Sequence, residues 1–146
     1  MKKSEQLTTS LEDYLEAILF LEEKNRVARV KDIAEFLSVQ MPSVTGAQKN
    51  LRSKGLVEYE RNSFINLSRE GLKIARSIRK KHDILKNFLK SVLLLDDDQS
   101  EEEACKIEHA ISQNTALRIK NLTDYVLKGL DTGELSGQSW QDIISE

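Results

Sequence analysis

A seven-residue stretch, EACKIEH at 103–109, concentrates the side chains of this chain that could bind a transition metal. Cys105, Glu108 and His109 stand at positions i, i+3 and i+4, so a helix would place them within about 100° of one another. Thiolate, carboxylate and imidazole together form a donor set for a divalent transition metal. The spacing therefore predicts three ligands of a metal site that needs further ligands from elsewhere.

Other candidate ligands lie on other predicted helices. Asp13 and Glu16 form an i, i+3 carboxylate pair, and His82 is the second of the two histidines in the chain. If these residues converge on the cluster, one or two divalent cations would connect the N-terminal half to two helices of the C-terminal half. Hard carboxylates favour Mn(II) or Fe(II), whereas a thiolate improves the affinity for Fe(II), Co(II), Ni(II) and Zn(II).

The same residues also allow interpretations without a metal. Cysteine is often a buried small hydrophobe, and Glu108 and His109 could belong to a solvated polar face. A nucleophilic Cys105 with His109 as its base has no oxyanion-hole signature or orienting partner in the sequence. The acidic run at 96–98 lacks the alternation and the glycine of a calcium-binding loop. A small metallohydrolase would need two histidines at i, i+4 with an intervening glutamate, and the sequence has no such pair.

The composition is typical of a soluble globular protein, with 39% hydrophobic and 32% charged residues. Residues 1–90 carry 18 Lys/Arg and 12 Asp/Glu, a net charge of +6, whereas residues 91–146 carry 4 and 12, a net charge of −8. A basic N-terminal half suits a polyanion such as DNA. The sequence has no apolar run of the roughly 20 residues that cross a bilayer and no signal-peptide core, and a lone cysteine forms no internal disulfide. We therefore expect a cytoplasmic protein without a membrane partner.

Helical periodicity predicts the elements that carry the N-terminal candidates. Residues 11–23 form a first helix, and residues 30–39 form a short second helix that ends before the only proline. Pro42 stands near the start of a third helix, where proline is best tolerated, and Gly55 is expected to cap its end. Two short helices joined by a tight turn indicate a helix-turn-helix, or an ordinary helical hairpin.

The third helix exposes small polar and basic side chains suited to base edges and phosphates. A hairpin formed by residues 57–61 and 64–68 follows directly. This order is typical of a winged helix, in which one helix enters the major groove while the wing touches the adjacent backbone. We predict that base edges are contacted by Ser43, Thr45 and Gln48. We predict that phosphates are contacted by Lys49, Arg52 and Arg61.

The C-terminal half is predicted to be helical. Ser68 is expected to cap a long helix that carries His82 from one half of the chain into the other. Ser100 and Glu103 have the spacing of a capping box that would open the helix of the metal-binding cluster. A further helix covers residues 115–130, and the residues after it form either a tail or a short helix.

Four segments resemble, in the same order, the signatures of one family, the metal-dependent repressors of the diphtheria toxin repressor and manganese transport regulator type. The resemblance covers about residues 8–128, and its segments are SLEDYLEAI at 10–18, RVKDIAEFLSVQMPSVTGAQKNLRSKGLVEYE at 29–60, RKKHDILKNFL at 79–89 and EACKIEHAIS at 103–112. It implies a mainly α fold. A winged helix-turn-helix domain of three helices and a β-hairpin wing, at 1–73, would be joined to an all-helical metal-binding and dimerisation domain, at 74–146, without the C-terminal SH3-like domain of iron-type members.

The resemblance also implies a ligand set. Position by position, the ligands of manganese-type members are matched by Asp13, Glu16, His82, Glu108 and His109. Cys105 departs from that set, because manganese-type members have glutamate there; iron-type members have cysteine, but carry methionine where this chain has Asp13. Lys86 stands where the family often has an acidic ancillary ligand, and Glu101 is expected to supply a replacement.

The function implied by the resemblance is transcriptional repression of metal-homeostasis genes, with Mn(II) or Fe(II) as co-repressor and without enzymatic activity. A homodimer would present two recognition helices to a pseudo-palindromic operator in double-stranded DNA, and the cation, for which Co(II), Ni(II) or Zn(II) can substitute, would fix their spacing. The alternative is a metal-independent winged-helix regulator that responds to another ligand. Substitution of Glu108 or His109 would leave the operator affinity of such a protein intact.

Overall fold

The computed structural model describes residues 7–59 and 64–146, so Arg61 and the predicted tip of the hairpin lie outside the described residues. Contacts within the chain divide it into two units, Met1–Ile78 and Arg79–Glu146. The elements in chain order are α1 (Thr9–Asn25), β1 (Ala28–Arg29), α2 (Val30–Leu37), α3 (Met41–Ser53), β2 (Val57–Tyr59), β3 (Phe64–Leu67), α4 (Arg69–Asn87), a π-helical segment (Phe88–Val92), α5 (Asp97–Ile107), α6 (Gln113–Thr132) and α7 (Gly137–Ser145). This mainly helical architecture with a small sheet confirms the predicted fold class. None of the helices in the described ranges is long and apolar enough to span a bilayer.

Helix α1 forms the centre of the first unit. Thr8 caps it, because the Thr8 Oγ1 accepts a hydrogen bond from the Leu11 N–H at 3.2 Å. Leu15 and Ile18 on its apolar stripe are 0% and 2% exposed, and complete burial of such a side chain contributes about 1.5–3 kcal/mol. The other elements of the unit add to the same core the side chains of Ile33, Leu51 and Ile65.

Helices α2 and α3 are the predicted helix-turn-helix pair. Pro42 lies in the first turn of α3, where its missing N–H breaks no helical hydrogen bond. The end of α3 is a Schellman motif, in which the Gly55 N–H donates to the Arg52 carbonyl at 3.0 Å and the Leu56 N–H to the Leu51 carbonyl at 2.9 Å. Gly55 has φ of 71° and takes the position after the C-cap, where the left-handed conformation favours glycine.

A three-stranded antiparallel sheet in the order β1-β3-β2 completes the first unit. The sequence predicted only the hairpin of β2 and β3, because two residues, Ala28 and Arg29, are too few to show strand alternation. Ala28 pairs with Ile65 of the central strand. Glu22 of α1 accepts the Leu67 N–H at 2.9 Å through Oε1, which joins the sheet to α1.

The long predicted helix is confirmed as far as Asn87, and the chain then continues as the π-helical segment. Ser68 caps its start, since the Ser68 Oγ accepts the Gly71 N–H at 3.0 Å. The residues after α6 form a short helix, and its Trp140 donates from Nε1 to the Val92 carbonyl at 2.8 Å. A core cluster of the second unit contains Leu85, Leu89 and Ala104.

Helix α5 begins earlier than the sequence predicted. Asp96 is its N-cap, because Asp96 Oδ1 accepts the Gln99 N–H at 2.8 Å. Ser100 therefore lies inside the helix and is fully buried, so the predicted capping box of Ser100 with Glu103 is wrong. Aspartate is among the strongest N-cap residues, and further acids in the first turn interact favourably with the helix dipole.

Candidate metal centre

The cluster that the sequence singled out crosses the end of α5. Glu108 is the C-cap, with helical φ and ψ of −55° and −31°, and its N–H donates to the Ala104 carbonyl at 3.0 Å. The helical path thus continues one residue beyond α5. Lys81 of α4 donates from Nζ to the Ile111 carbonyl at 3.2 Å, which fastens the turn after Glu108 to α4. Sequence reasoning missed Lys81, because nothing in the sequence signals a bond to a backbone carbonyl 30 residues away.

His82 is the centre of the polar contacts in the second unit. Its Nδ1 lies 2.8 Å from Glu108 Oε2 and 3.7 Å from Cys105 Sγ. Its Nε2 lies 3.1 Å from Glu101 Oε1. Ligand atoms of His82, Glu101 and Cys105 all lie within 4.8 Å of one another. The structure therefore brings four of the seven predicted metal ligands together around one imidazole ring.

These contacts determine the protonation of His82. The hydrogen bond with Glu108, assisted by Glu101, outweighs burial and raises the pKa of His82 to about 9. The ring is therefore protonated at neutral pH and must lose a proton before one of its nitrogens can bind a metal. Burial alone would raise the pKa of Glu101, but hydrogen bonds from Lys86 and His82 lower it overall.

The surroundings of the Glu108 carboxylate are suited to a bound cation. The residue is 0% exposed. Its Oε2 is paired with His82, whereas its Oε1 has no hydrogen-bond partner among the described residues; the Nε2 of His109 lies 3.4 Å from this oxygen. A buried acceptor without a partner costs about 1–3 kcal/mol, and more when it is charged. The oxygen, nitrogen and sulfur donors around it are those that a divalent transition metal accepts.

Burial contradicts the interpretations that left these residues without a role. Glu108 is fully buried and the side chain of His109 is only 7% exposed, so the two residues do not form a solvated polar face. Cys105 is exposed and so is not a buried hydrophobe.

Asp13 and Glu16 belong to the first unit. Helix α1 places them about one turn apart, and both are half-buried. An i, i+3 pair lies on one side of a helix, so both carboxylates can be directed to a common point. The pair remains a predicted part of the ligand set.

Lys86 and Glu101, noted separately in the sequence, form an ion pair. The Lys86 Nζ lies 2.9 Å from Glu101 Oε2 and 3.7 Å from Asp97 Oδ1. Lys90, one turn further along the chain, contacts Asp97 at 2.8 Å. Glu101 therefore directs one carboxylate oxygen to His82 and the other to an ammonium group.

The predicted DNA contacts lie on α3, apart from Arg61, which lies outside the described residues. Gln48 is half-buried. The Thr45 hydroxyl donates to the Met41 carbonyl at 3.3 Å, and an added Cβ at Gly46 would meet nothing within 4 Å. The exposed members of the predicted set are Ser43, Thr45, Lys49 and Arg52.

Two protein-family models match the chain. Residues 6–64 match the N-terminal DNA binding domain of the iron dependent repressor, and residues 68–128 match the iron dependent repressor metal binding and dimerisation domain. An uncharacterized HTH-type transcriptional regulator of Methanocaldococcus jannaschii is 40% identical over 115 residues, which are 78% of this chain and 92% of that protein. The HTH-type transcriptional regulator MntR of Shouchella clausii is 38% identical over 118 residues, with coverage of 81% and 82%.

A solved structure has a similar fold. The structure of the manganese regulator SloR matches with a TM-score of 0.72 and 32% sequence identity, and the match covers 82% of this chain and 55% of the other. The present chain thus spans about half the length of that structure. The match extends across both the DNA-binding and the metal-binding regions identified by the family models.

Proposed function

We propose that this chain, which belongs to the iron-dependent repressor family, represses transcription by binding operator DNA under the control of a divalent transition metal. The observation that carries the proposal is the fully buried carboxylate of Glu108. Its Oε1 has no hydrogen-bond partner among the described residues and lies 3.4 Å from His109 Nε2, and its Oε2 lies 2.8 Å from His82 Nδ1. The two family domains supply the other half of the proposal, since one is a DNA-binding domain and the other binds metal and dimerises.

The ligands that we propose come from both halves of the chain. They are Asp13, Glu16, His82, Cys105, Glu108 and His109, with Glu101 in contact with His82. A bound divalent cation would supply positive charge that offsets the buried carboxylate of Glu108. The carboxylates favour Mn(II) or Fe(II) as the co-repressor, and the thiolate allows Co(II), Ni(II) or Zn(II) to substitute.

DNA recognition is assigned to α3. We expect its exposed polar and basic side chains to contact base edges and phosphates in the major groove, with Arg61 reaching the adjacent backbone. The open position at Gly46 presents no side chain to the groove, so recognition also relies on DNA shape. This role is consistent with the cytoplasmic location predicted from the sequence, and it requires no catalysis.

A homodimer would place two such helices on a pseudo-palindromic operator. Helix α6 is suited to that assembly, because Leu117, Leu122 and Tyr125 are 49%, 50% and 72% exposed. Large exposed apolar side chains on one helix are typical of a surface that another protein covers. These exposed apolar side chains of α6 are therefore available to a second subunit.

The control of DNA binding follows from the place of α1 in the first unit. Asp13 and Glu16 are on α1, and α1 packs against both helices of the helix-turn-helix. Holding these two carboxylates in the metal site restricts the orientations of the DNA-binding unit to those that match operator spacing. A coupling of about 1–3 kcal/mol changes an affinity roughly 5- to 150-fold, and operator DNA must then tighten metal binding by the same factor.

Metal binding is the first test. Mn(II) is titrated calorimetrically into metal-free protein, with Glu108→Gln as the test variant and Glu102→Gln as the matched control. Glu102 is an exposed residue of α5, and its carboxylate contacts the Lys106 ammonium at 2.7 Å. We expect micromolar or tighter binding that is lost in Glu108→Gln and retained in Glu102→Gln.

Selection of DNA from a random duplex pool, with and without Mn(II), is the second test. We expect enrichment of pseudo-palindromic sequences only with Mn(II), and loss of that enrichment in Glu108→Gln. Equal enrichment in both conditions would refute metal control and favour the metal-independent regulator.

A further inference from the structure

We infer that the Lys86 ammonium takes the place of a second divalent ion beside Glu101. Each subunit then binds a single divalent ion, on the Nδ1 side of His82, and Glu101 is a positioning residue. The inference rests on the proposed function and adds the number of ions and the distinct roles of the two faces of His82. The two ring nitrogens of His82 have different surroundings.

The Nδ1 side of His82 has the properties of a cation site. Glu108 Oε2 and Cys105 Sγ lie 2.8 and 3.7 Å from Nδ1, and distances of this size separate ligands that share one ion with bonds of about 2.0–2.3 Å. Glu108 also brings the Oε1 that has no hydrogen-bond partner among the described residues. This side of the ring therefore holds the fully buried carboxylate of Glu108, whose contacts with a charged group are to the imidazoles of His82 and His109.

The Nε2 side already contains its cation. Glu101 has its two oxygens 3.1 Å from His82 Nε2 and 2.9 Å from Lys86 Nζ. Lys86 is four residues after His82, so it extends from the same face of α4, and Asp97 lies 3.7 Å from its ammonium. A divalent ion between His82 and Glu101 would be repelled by this ammonium, which already binds the other oxygen of the same carboxylate.

The same contacts give Glu101 a defined task. A metal-binding histidine usually donates its other ring N–H to a carboxylate, which fixes the ring orientation and raises the basicity of the ligating nitrogen. With the proton on Nε2 donated to Glu101 and the Nδ1 proton released, the Nδ1 lone pair of His82 would be available to an ion shared with Glu108 and Cys105. Lys86 in turn fixes the Glu101 carboxylate by binding its second oxygen.

The test is the number of Mn(II) ions per subunit, measured on the full chain by equilibrium dialysis and elemental analysis. Lys86→Glu replaces the ammonium with a potential ligand, and Lys90→Glu is the matched control because it makes the same charge change one turn away, where the lysine contacts Asp97. We expect one ion in the wild type, two in Lys86→Glu and one in Lys90→Glu. Electron paramagnetic resonance should show spin-coupled Mn(II) pairs only in Lys86→Glu.

Each outcome decides between defined alternatives. Two ions in the wild type would overturn the inference and leave the proposed function standing, whereas no ion would refute both. One ion in a folded Lys86→Glu would show that Lys86 does not limit the site, and would overturn the inference. If circular dichroism shows that this variant is unfolded, the wild-type count still decides. Glu101→Gln should retain one ion with about 10- to 100-fold weaker binding.

Discussion

Metal and proton should compete for the Nδ1 of His82, and the strength of that competition can be worked out from the structure. The Glu108 hydrogen bond raises the pKa of His82 to about 9. At pH 7 the ring is therefore neutral in only about 1% of metal-free molecules, which lowers the apparent metal affinity about 100-fold, or about 2.7 kcal/mol. At pH values below that pKa, the apparent metal affinity should rise about tenfold for each unit by which the pH is raised.

The assay is a titration of Mn(II) against a chelating dye at several pH values from 6.5 to 8.5. The wild type and Cys105→Ala are titrated in parallel, so that a thiol proton released in the wild type is told apart from the His82 proton. Calorimetry in two buffers of different ionisation enthalpy should independently find about one proton released per ion at pH 7. Tight binding that does not change with pH, with no proton released, would refute the assignment of His82 as a protonated ligand.

Other predictions concern stability and DNA binding. Metal-free protein should lose at most about 3 kcal/mol of unfolding free energy as pH rises from 6.5 to 9. Because the pKa of His82 is raised in the folded state, its stabilising effect is complete below the unfolded-state pKa and is lost as the pH rises through the folded-state pKa. Urea denaturation in the presence of a chelator measures this change. Gly71→Ala should lower the free energy of unfolding by about 1–3 kcal/mol, since an added Cβ would overlap the Leu56 carbonyl. Gly46→Ala, where the added Cβ meets open space, should be neutral or stabilise the protein by up to about 1 kcal/mol. Equal urea midpoints for the two variants would contradict this prediction. Arg52→Ala should weaken binding to all DNA sequences and reduce the slope of log affinity against log salt by about one; an unchanged slope would remove Arg52 from the phosphate contacts.

Local sequence signals predicted the fold well wherever one short segment determines the outcome. Pro42 and Gly55 delimit α3 because their backbone constraints act at single positions. The start of α5 was misassigned because Asp96 and Ser100 are both good N-caps, and the burial of Ser100 decides between them. Strand β1 was missed because only its pairing with β3 makes it a strand.

The candidate site was predicted in composition but not in arrangement. The spacing of Cys105, Glu108 and His109 identified donor types, yet it could not show that Glu108 is completely buried, because its partner His82 is 26 residues away. The pairing of Lys86 with Glu101 likewise depends on how α4 packs against α5. The partners of each carboxylate, a lysine for Glu101 and a buried histidine for Glu108, therefore depend on the packing of the helices.

The hydrogen bond from the Leu67 N–H to Glu22 has a mechanical consequence. It ties β3, the second strand of the hairpin, to α1, which also packs against α2, α3 and β1. Because α1 contacts α2, α3, β1 and β3, a rotation of α1 should turn the recognition helix and β3 with it. The first unit then moves as one body, and the NMR chemical shifts of residues in its core should stay nearly constant when metal is added.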